Sequence, residues 1–364
     1  MYFKQVHGAA VGWLVVLCVC ALWLITGLGG CSYAAIGFTR KPSSTAGLQF
    51  AGFIVLPKTN QLALLSVMDY MSVHDRQLFV ASIEPGAVFK IPLGSGPLPP
   101  TTNVAVLEGK PSAHGVTFDP VSQLGFVSRS GTDTVDVFDA RTMRQAKSIP
   151  VAPGVDGIFI DPFNKLLYAV SGEHDSATLI DPASQTRVGT IPLGGSPEYA
   201  VFDPTTHRLY QNLIDKSTLV AVDLAKRSVV DRWPLAGCRG PAGIDLDAAR
   251  RRLFIACRKN AALAVFSLES HTVTATIDIG AGADSVAYDA QLRRIYTTGR
   301  SGVLSTILQE QPDRYRKLDD IALAFGAHTL AVDPLTHRVY VGYVSVLIAP
   351  RIAVFDASPQ VTFK

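Results

Sequence analysis

Residues 158–168 read Ile-Phe-Ile-Asp-Pro-Phe-Asn-Lys-Leu-Leu-Tyr, and variants of this stretch recur along the chain. In each variant an Asp follows an apolar run, and an aromatic residue comes seven positions after that Asp. Successive Asp residues are 42, 42, 44, 42 and 44 positions apart. The six pairs are Asp119–Phe126, Asp161–Tyr168, Asp203–Tyr210, Asp247–Phe254, Asp289–Tyr296 and Asp333–Tyr340. A fixed period of this size predicts an array of similar structural units.

Each unit contains four short runs rich in Val, Ile and aromatic residues, separated by turn residues. In one unit the runs are 115–119, 124–128, 135–139 and 146–151. Four strands in about 42 residues are typical of a β-propeller blade. Phe79 fits the aromatic position once more, in a degenerate first unit, so the pattern predicts an all-β protein: a seven-bladed β-propeller of four-stranded antiparallel blades spanning 49–364.

The last unit has no clear fourth strand, whereas an additional apolar run precedes the first unit. This run is Phe-Ala-Gly-Phe-Ile-Val-Leu, residues 50–56. We expect it to supply the outer strand of the last blade, because a ring closed in this way leaves no unpaired strand edge there.

Composition excludes several classes of protein. The 364 residues carry 33 basic and 30 acidic side chains, a net charge of +3, so the chain lacks the basic excess that nucleic-acid binding requires and we expect no nucleic-acid partner. Apolar residues make up 48% of the chain, which excludes a disordered protein. The five Cys residues form no Cys-x-x-Cys pair, so structural zinc and c-type haem lack their usual signatures. We expect a monomer.

The first thirty residues have the pattern of a targeting segment. Lys4 precedes an apolar run from Val11 to Leu28, and residues 1–30 contain no acid. A positive start followed by an apolar core predicts a signal peptide, residues 1–30. An uncleaved signal anchor remains the alternative, because about 18 apolar residues can just span a bilayer.

The segment Leu28-Gly29-Gly30-Cys31 resembles the lipobox of bacterial lipoproteins. The resemblance implies that Cys31 is lipidated and that residues 31–48 tether the propeller to a membrane. It also implies an extracytoplasmic protein, with the outer membrane, facing the periplasm, as the expected location because Ser32 replaces the Asp that retains many such proteins at the inner membrane.

The repeats also resemble those of a known family. Tyr340-Val341, Phe126-Val127 and Tyr168-Ala169, each followed by a polar turn and a further strand, are similar to the YVTN repeat of YncE-like seven-bladed propellers. The resemblance covers about residues 60–357 and implies a bacterial envelope protein. Related propellers include lactonases and lyases. The resemblance therefore indicates the fold and does not indicate an activity.

The candidate functional residues come from one repeat position, five residues before each aligned Asp. In a propeller this position lies at the mouth of the central channel. It holds His114, Asp156, Glu198, Ala242, Asp284 and His328, five of which are ionisable. Arg129, Arg258 and Arg300 lie in or beside loops on the same face and could bind an anionic group of a ligand.

Two imidazoles and three carboxylates suit a divalent metal ion in the central channel, although no cofactor is certain from the sequence. The competing interpretation is a ring of hydrated polar side chains at the water-filled mouth. No nucleophile elbow, phosphate-binding Gly loop or His-Glu-x-x-His segment is present. We therefore expect a module that binds a small ligand or an envelope protein, with a metal-dependent, lactonase-like hydrolase or lyase as the alternative.

Two thiols remain once the signal segment and Cys31 are set aside. Cys238 precedes the fifth unit and Cys257 ends its second predicted strand, so both lie toward the same face. An oxidising compartment permits a disulfide between them. The alternative is two neighbouring free thiols, because only a Cα separation near 5.5 Å allows the bond.

Overall fold

The computed structural model describes residues 47–59, 65–109, 112–119, 121–346 and 349–358. The predicted signal peptide, Cys31 and nearly all of the predicted tether lie outside these residues. The described strands are β1 (Leu48–Val55), β2 (Leu65–His74), β3 (Gln77–Glu84), β4 (Val88–Pro92), β5 (Ala105–Leu107), β6 (Ala113–Phe118), β7 (Leu124–Arg129), β8 (Thr134–Asp139), β9 (Arg144–Pro150), β10 (Val155–Asp161), β11 (Leu166–Ser171), β12 (Ser176–Asp181), β13 (Thr186–Pro192), β14 (Pro197–Asp203), β15 (Arg208–Leu213), β16 (Thr218–Asp223), β17 (Ser228–Pro234), β18 (Pro241–Asp247), β19 (Arg252–Cys257), β20 (Ala262–Ser267), β21 (Thr272–Asp278), β22 (Ala283–Asp289), β23 (Arg294–Gly299), β24 (Val303–Gln311), β25 (Arg314–Ala322), β26 (Thr329–Val332), β27 (Val339–Gly342), β28 (Ser345–Val346) and β29 (Arg351–Ala357).

These strands form seven antiparallel sheets, one for each predicted blade. Blades two to six are the consecutive groups β6–β9, β10–β13, β14–β17, β18–β21 and β22–β25, and blade one is β2–β5 with the short β28 added beside β2. The innermost strands contact one another in order, and β26 of blade seven contacts β2 of blade one, which closes the ring. The prediction of a seven-bladed propeller is confirmed.

Blade seven combines strands from both ends of the chain. Its order is β26, β27, β29 and β1, and β1 pairs antiparallel with β29, from Leu48 opposite Ala357 to Val55 opposite Arg351. The predicted closing strand is therefore confirmed. The pairing removes the open edge that β29 would otherwise present.

The apolar core is divided among the spaces between blades. Seven clusters of buried side chains occur in the described residues, and each joins two successive blades. The repeated aromatic residues belong to them: Tyr168 is fully buried between blades three and four, and Phe254 between blades five and six. This explains why the aromatic position repeats, because every blade must fill the same wedge against its neighbour.

The repeated Asp closes the first hairpin of a blade. Asp161, for example, is fully buried and accepts hydrogen bonds from the backbone N–H groups of Phe163 and Asn164 at 2.8 and 3.1 Å. The residue before the second strand has a positive φ, 54° at Lys165. The carboxylate thus stabilises a tight turn, as Asp commonly does. Within the described ranges no helix has the length and apolar character needed to cross a membrane.

Candidate functional site

The channel mouth is lined by one residue from the start of each innermost strand. We call this set the mouth ring: Asp69, His114, Asp156, Glu198, Ala242, Asp284 and His328. In blades two to seven it comprises the positions selected from the sequence. The innermost strands of blades one to six have a register shift here, as between Ala113 and Val116, whereas His328 directly precedes β26, which pairs regularly.

Asp69 is the blade-one member that the repeat spacing missed. His74 pairs with Gln77 next to a turn formed by Asp75 and Arg76, both of which have positive φ. The turn is two residues shorter than in the other blades, so His74 stands where the aligned Asp would be. Counting back five positions from His74 gives Asp69. The sequence carries this residue at the same distance from the strand end, but the shorter turn hides it from a fixed Asp-to-aromatic spacing.

One side of the ring forms what we call the acidic–histidine cluster: Asp69, His114 and Asp156, from blades one, two and three. His114 Nδ1 lies 2.6 Å from Asp69 Oδ2 and 3.3 Å from Asp156 Oδ1, while His114 Nε2 lies 2.9 Å from Ser130 Oγ. One nitrogen and two carboxylate oxygens of the cluster lie within 4.8 Å of one another. The cluster therefore offers a cation three ligand atoms from three separate strands.

Burial and the neighbouring carboxyl groups change the pKa values of this cluster. Burial alone would lower the pKa of His114, but its interactions with Asp156 and Asp69 outweigh that effect and raise the pKa to about 10. The pKa of Asp69 is also raised, first by burial and against the opposing effect of the His114 hydrogen bond. Without a bound cation, the imidazole is thus held protonated between two carboxyl groups.

The other side of the ring forms what we call the arginine clamp: Glu198, Arg258 and Asp284, from blades four, five and six. The Arg258 guanidinium donates to both Glu198 carboxylate oxygens at 3.1 Å and makes a close contact with Asp284 Oδ1. Burial raises the pKa of Glu198 to about 8, because the nearby Asp284 and Asp156 add to the effect of burial and Arg258 only partly opposes it. The ring position of blade five holds Ala242, which has no polar side chain. Arg258 of the same blade supplies the polar group there, between Glu198 and Asp284.

Arg300 lies at the rim of the mouth. Its side chain is 63% exposed, and its Nε is 3.6 Å from Asp284 Oδ2. Its guanidinium is therefore available to an anionic ligand group, unlike that of Arg258. His328, the blade-seven member, directs Nδ1 to the Gly326 carbonyl at 2.8 Å.

Arg129 does not belong to the mouth, and its prediction as a ligand-binding residue is wrong. It is fully buried, its Nε donates to Asp136, and its Nη1 donates to the Gly86 carbonyl at 2.8 Å. Arg129 lies ten residues after its aligned Asp, whereas Arg258 and Arg300 lie eleven residues after theirs. One residue along a strand reverses the direction of the side chain, so Arg129 enters the space between blades one and two. Ser130 holds the position equivalent to Arg258.

An aromatic layer that we call the tyrosine floor lies beneath the ring. Tyr70 and Tyr199 directly follow Asp69 and Glu198, and their rings stack with centroids 4.2 Å apart. They belong to blades one and four, which are not neighbours, so the contact crosses the channel. Phe159 of blade three packs against Tyr70 at 6.2 Å. The mouth is therefore a bowl with a polar wall and an aromatic base.

Glycine makes room for this floor. Gly157 directly follows Asp156, and a Cβ added there would come within 2.9 Å of the Tyr70 hydroxyl oxygen. The Tyr70 side chain is 6% exposed, and its hydroxyl has no hydrogen-bond partner among the described residues. An unpartnered buried hydroxyl thus lies against the backbone that carries Asp156.

The structure joins Cys238 and Cys257 in a disulfide, with their Cα atoms 5.2 Å apart. Cys238 lies in the loop that enters blade five, and Cys257 ends β19. Since Arg258 directly follows Cys257, the bond anchors the backbone that presents the arginine clamp.

Known proteins resemble this chain in fold and not in sequence. No known family profile matches the chain, and no curated protein matches it in sequence. Many solved structures are similar, among them a chain of Kuenenia stuttgartiensis hydrazine synthase, with a TM-score of 0.66 and 14% sequence identity over 80% of this chain and 97% of that chain. At this identity the likeness establishes the propeller fold alone.

Proposed function

We propose that this protein is an extracytoplasmic binding module that takes a small ligand at its channel mouth. The observation that carries the proposal is the convergence of the mouth ring above the tyrosine floor. A concave site with aromatic side chains and a few directed polar groups is the usual form of a small-molecule site. An envelope protein that inserts a polar side chain into the same bowl is the other partner we consider.

The charges of the two sides indicate the chemistry of the ligand. Arg300 can pair with a carboxylate or phosphate, because its guanidinium is exposed and only loosely held by Asp284 at 3.6 Å. The acidic–histidine cluster favours a cation on the opposite side. A compact ligand with an anionic group, bound beside a cation, would contact both sides.

A panel of amino acids, dicarboxylates and sugar phosphates tests this proposal by calorimetric titration into the mature protein. We expect at least one compound to bind with 1:1 stoichiometry and Arg300→Ala to weaken it at least tenfold. Arg187→Ala is the matched control, because Arg187 is exposed on the outer strand β13 and bonds to Thr190. Equal binding by both variants, or no binding by any compound, would contradict the proposal.

The proposed location rests on the sequence and on one covalent bond. The lipobox-like segment ending at Cys31 and the resemblance to YncE-like envelope propellers favour a lipid-anchored protein of the bacterial envelope. The disulfide supports an oxidising compartment, since such bonds are rare in the reducing cytosol. Mass analysis of the purified protein should reveal a mature chain that begins at an acylated Cys31. An intact residue 1 would instead favour the signal anchor.

A metal-dependent hydrolase or lyase is the second candidate, and the acidic–histidine cluster is the observation that favours it. A divalent cation bound there could polarise a lactone carbonyl in the bowl. The test is hydrolysis of a panel of lactones by metal-loaded and chelator-treated protein. Turnover that requires the metal and is lost in Asp156→Asn would establish this function, and no turnover with saturating metal would exclude it for those substrates.

A further inference from the structure

We propose that Asp69, His114 and Asp156 bind one divalent transition-metal ion, with Ser130 as a positioning residue. The inference rests on the proposed function, because it assigns the cation to one side of the same bowl. It differs from the five-residue set expected from sequence: Asp69 enters the site, and Glu198 and Asp284 leave it.

The distances between the ligand atoms suit a metal. Two donors bound about 2.1 Å from a metal at a right angle lie about 3 Å apart. His114 Nδ1 lies 2.6 Å from one carboxylate oxygen and 3.3 Å from the other. These two separations lie on either side of that value, and all three ligand atoms lie within 4.8 Å of one another. The three side chains come from three strands held by the ring, so the site is largely formed before the metal arrives.

Two buried polar atoms at the cluster lack partners that a metal and its water would supply. His114 Nδ1 has one hydrogen, and this is directed to Asp69. Asp156 Oδ1 is consequently buried without a hydrogen bond among the described residues. The Tyr70 hydroxyl, against Gly157, is the second such atom. The first atom would ligate a bound ion, and a water on that ion could donate a hydrogen bond to the second.

Ser130 supplies the orientation that metal-binding histidines normally need. Its hydroxyl lies 2.9 Å from His114 Nε2, so this nitrogen can donate to Ser130 while Nδ1 ligates the metal. Such an outer contact fixes the tautomer and the plane of the ring. The position equivalent to Ser130 is Arg258 in blade five, where it forms an ion pair instead.

The arginine clamp explains why the site has this composition. Arg258 already pairs with Glu198 and Asp284 as a fixed cation, which leaves those carboxyl groups unsuited to a second one. One imidazole with two carboxylates favours Mn²⁺, Fe²⁺ or Zn²⁺ over Ca²⁺, which takes six to eight oxygen ligands.

The experiment is a titration of the full mature chain, freed of metal by a chelator, with Mn²⁺, Zn²⁺ and Ca²⁺ alone. A separate titration with Co²⁺ reports the coordination geometry through its visible absorption. We expect one equivalent of Mn²⁺ or Zn²⁺ to bind and Asp156→Asn to weaken binding at least a hundredfold. Ser130→Ala should weaken it about 10- to 100-fold. Asp284→Asn, altered at the equivalent ring position, is the matched control and should bind as the unaltered protein does.

Circular dichroism and the melting temperature show whether each variant folds, and Asp156→Asn keeps the size of the side chain. Failure of the folded, unaltered protein to bind any of these ions would overturn the inference, as would equal binding by Asp156→Asn and Asp284→Asn. Either result leaves the proposed function open, because the ligand test depends on Arg300 and is read without added metal.

Discussion

The two sides of the channel mouth use the same repeat position in different ways. In the arginine clamp, the protein supplies its own cation, and Arg258 pairs with Glu198 and Asp284. In the acidic–histidine cluster, the central cation is a protonated imidazole, which can lose its proton and become a ligand. The difference depends on one side chain at the top of the second strand, which is Arg258 in blade five and Ser130 in blade two. A propeller can thus keep its fold constant while one side of its mouth is fixed and the other is open to a ligand.

The largest expected effect comes from removing the fixed cation. Arg258→Ala leaves two buried carboxyl groups without their partner, and we expect a loss of about 3–5 kcal/mol in the free energy of unfolding near pH 8.5. Denaturant-induced unfolding measures it. Arg300→Ala is the control, because its exposed ion pair should contribute less than about 1 kcal/mol. Equal stability of the two variants would show that Arg258 is not the structural cation of the mouth.

The disulfide should stabilise the clamp side selectively. Replacing Cys238 and Cys257 together by Ser should cost about 3 kcal/mol, because the bond closes a loop with a sequence separation of 19 residues. The same loss should follow reduction of the unaltered protein, whereas the Ser variant should not respond to reductant. Mn²⁺ binding by the opposite side should stay unchanged. Two free thiols in the native mature protein would contradict this prediction.

The pH dependence of stability should reveal the buried carboxyl group of the clamp. The pKa of Glu198 is raised from 4.5 to about 8 in the folded protein. Folding therefore favours the protonated form of Glu198, which stabilises the folded protein. This contribution to the free energy of unfolding is complete below pH 4.5 and is lost as the pH rises toward about 8. Glu198→Gln, which cannot ionise, should remove this contribution and so reduce the decline in unfolding free energy over this interval. An unchanged pH profile would argue that Arg258 keeps Glu198 ionised throughout.

The smallest expected effect concerns the floor that both sides share. Tyr70→Phe removes a buried hydroxyl that has no partner among the described residues, so metal-free stability should change by less than about 1 kcal/mol. Mn²⁺ affinity should fall severalfold if the hydroxyl bonds to a metal-bound water. Tyr199→Phe is the matched control for the stacked pair. A large loss of stability in Tyr70→Phe without metal would mean that the hydroxyl has a structural partner.

The family resemblance and the cellular location depend on sequence patterns. The YVTN-like repeat, Cys31 and the signal segment rest on sequence patterns, and residues 1–46 lie outside the described structure. They remain predictions, as do the monomeric state and the absence of a nucleic-acid partner.

The sequence by itself determined the architecture. The Asp and the aromatic residue recur because every blade needs the same buried turn and the same wedge of apolar core, so local chemistry repeats wherever the structure repeats. The closing strand was visible for a similar reason, because its apolar run was left over once the units were counted. The ring position was also found in six blades, since equivalent positions around an axis must converge.

Only the tertiary structure decided which of these side chains act together. The short turn in blade one displaced Asp69 from the expected spacing, and the alternating direction of side chains along β7 placed Arg129 in the core. The tyrosine floor joins blades that are 129 residues apart in sequence, from Tyr70 to Tyr199. Such contacts depend on the closure of the ring. The spacing of residues along the chain determines how far along a strand a side chain lies and which side of the sheet it faces. Which side chains meet across the channel depends instead on the channel radius, which all seven blades determine together.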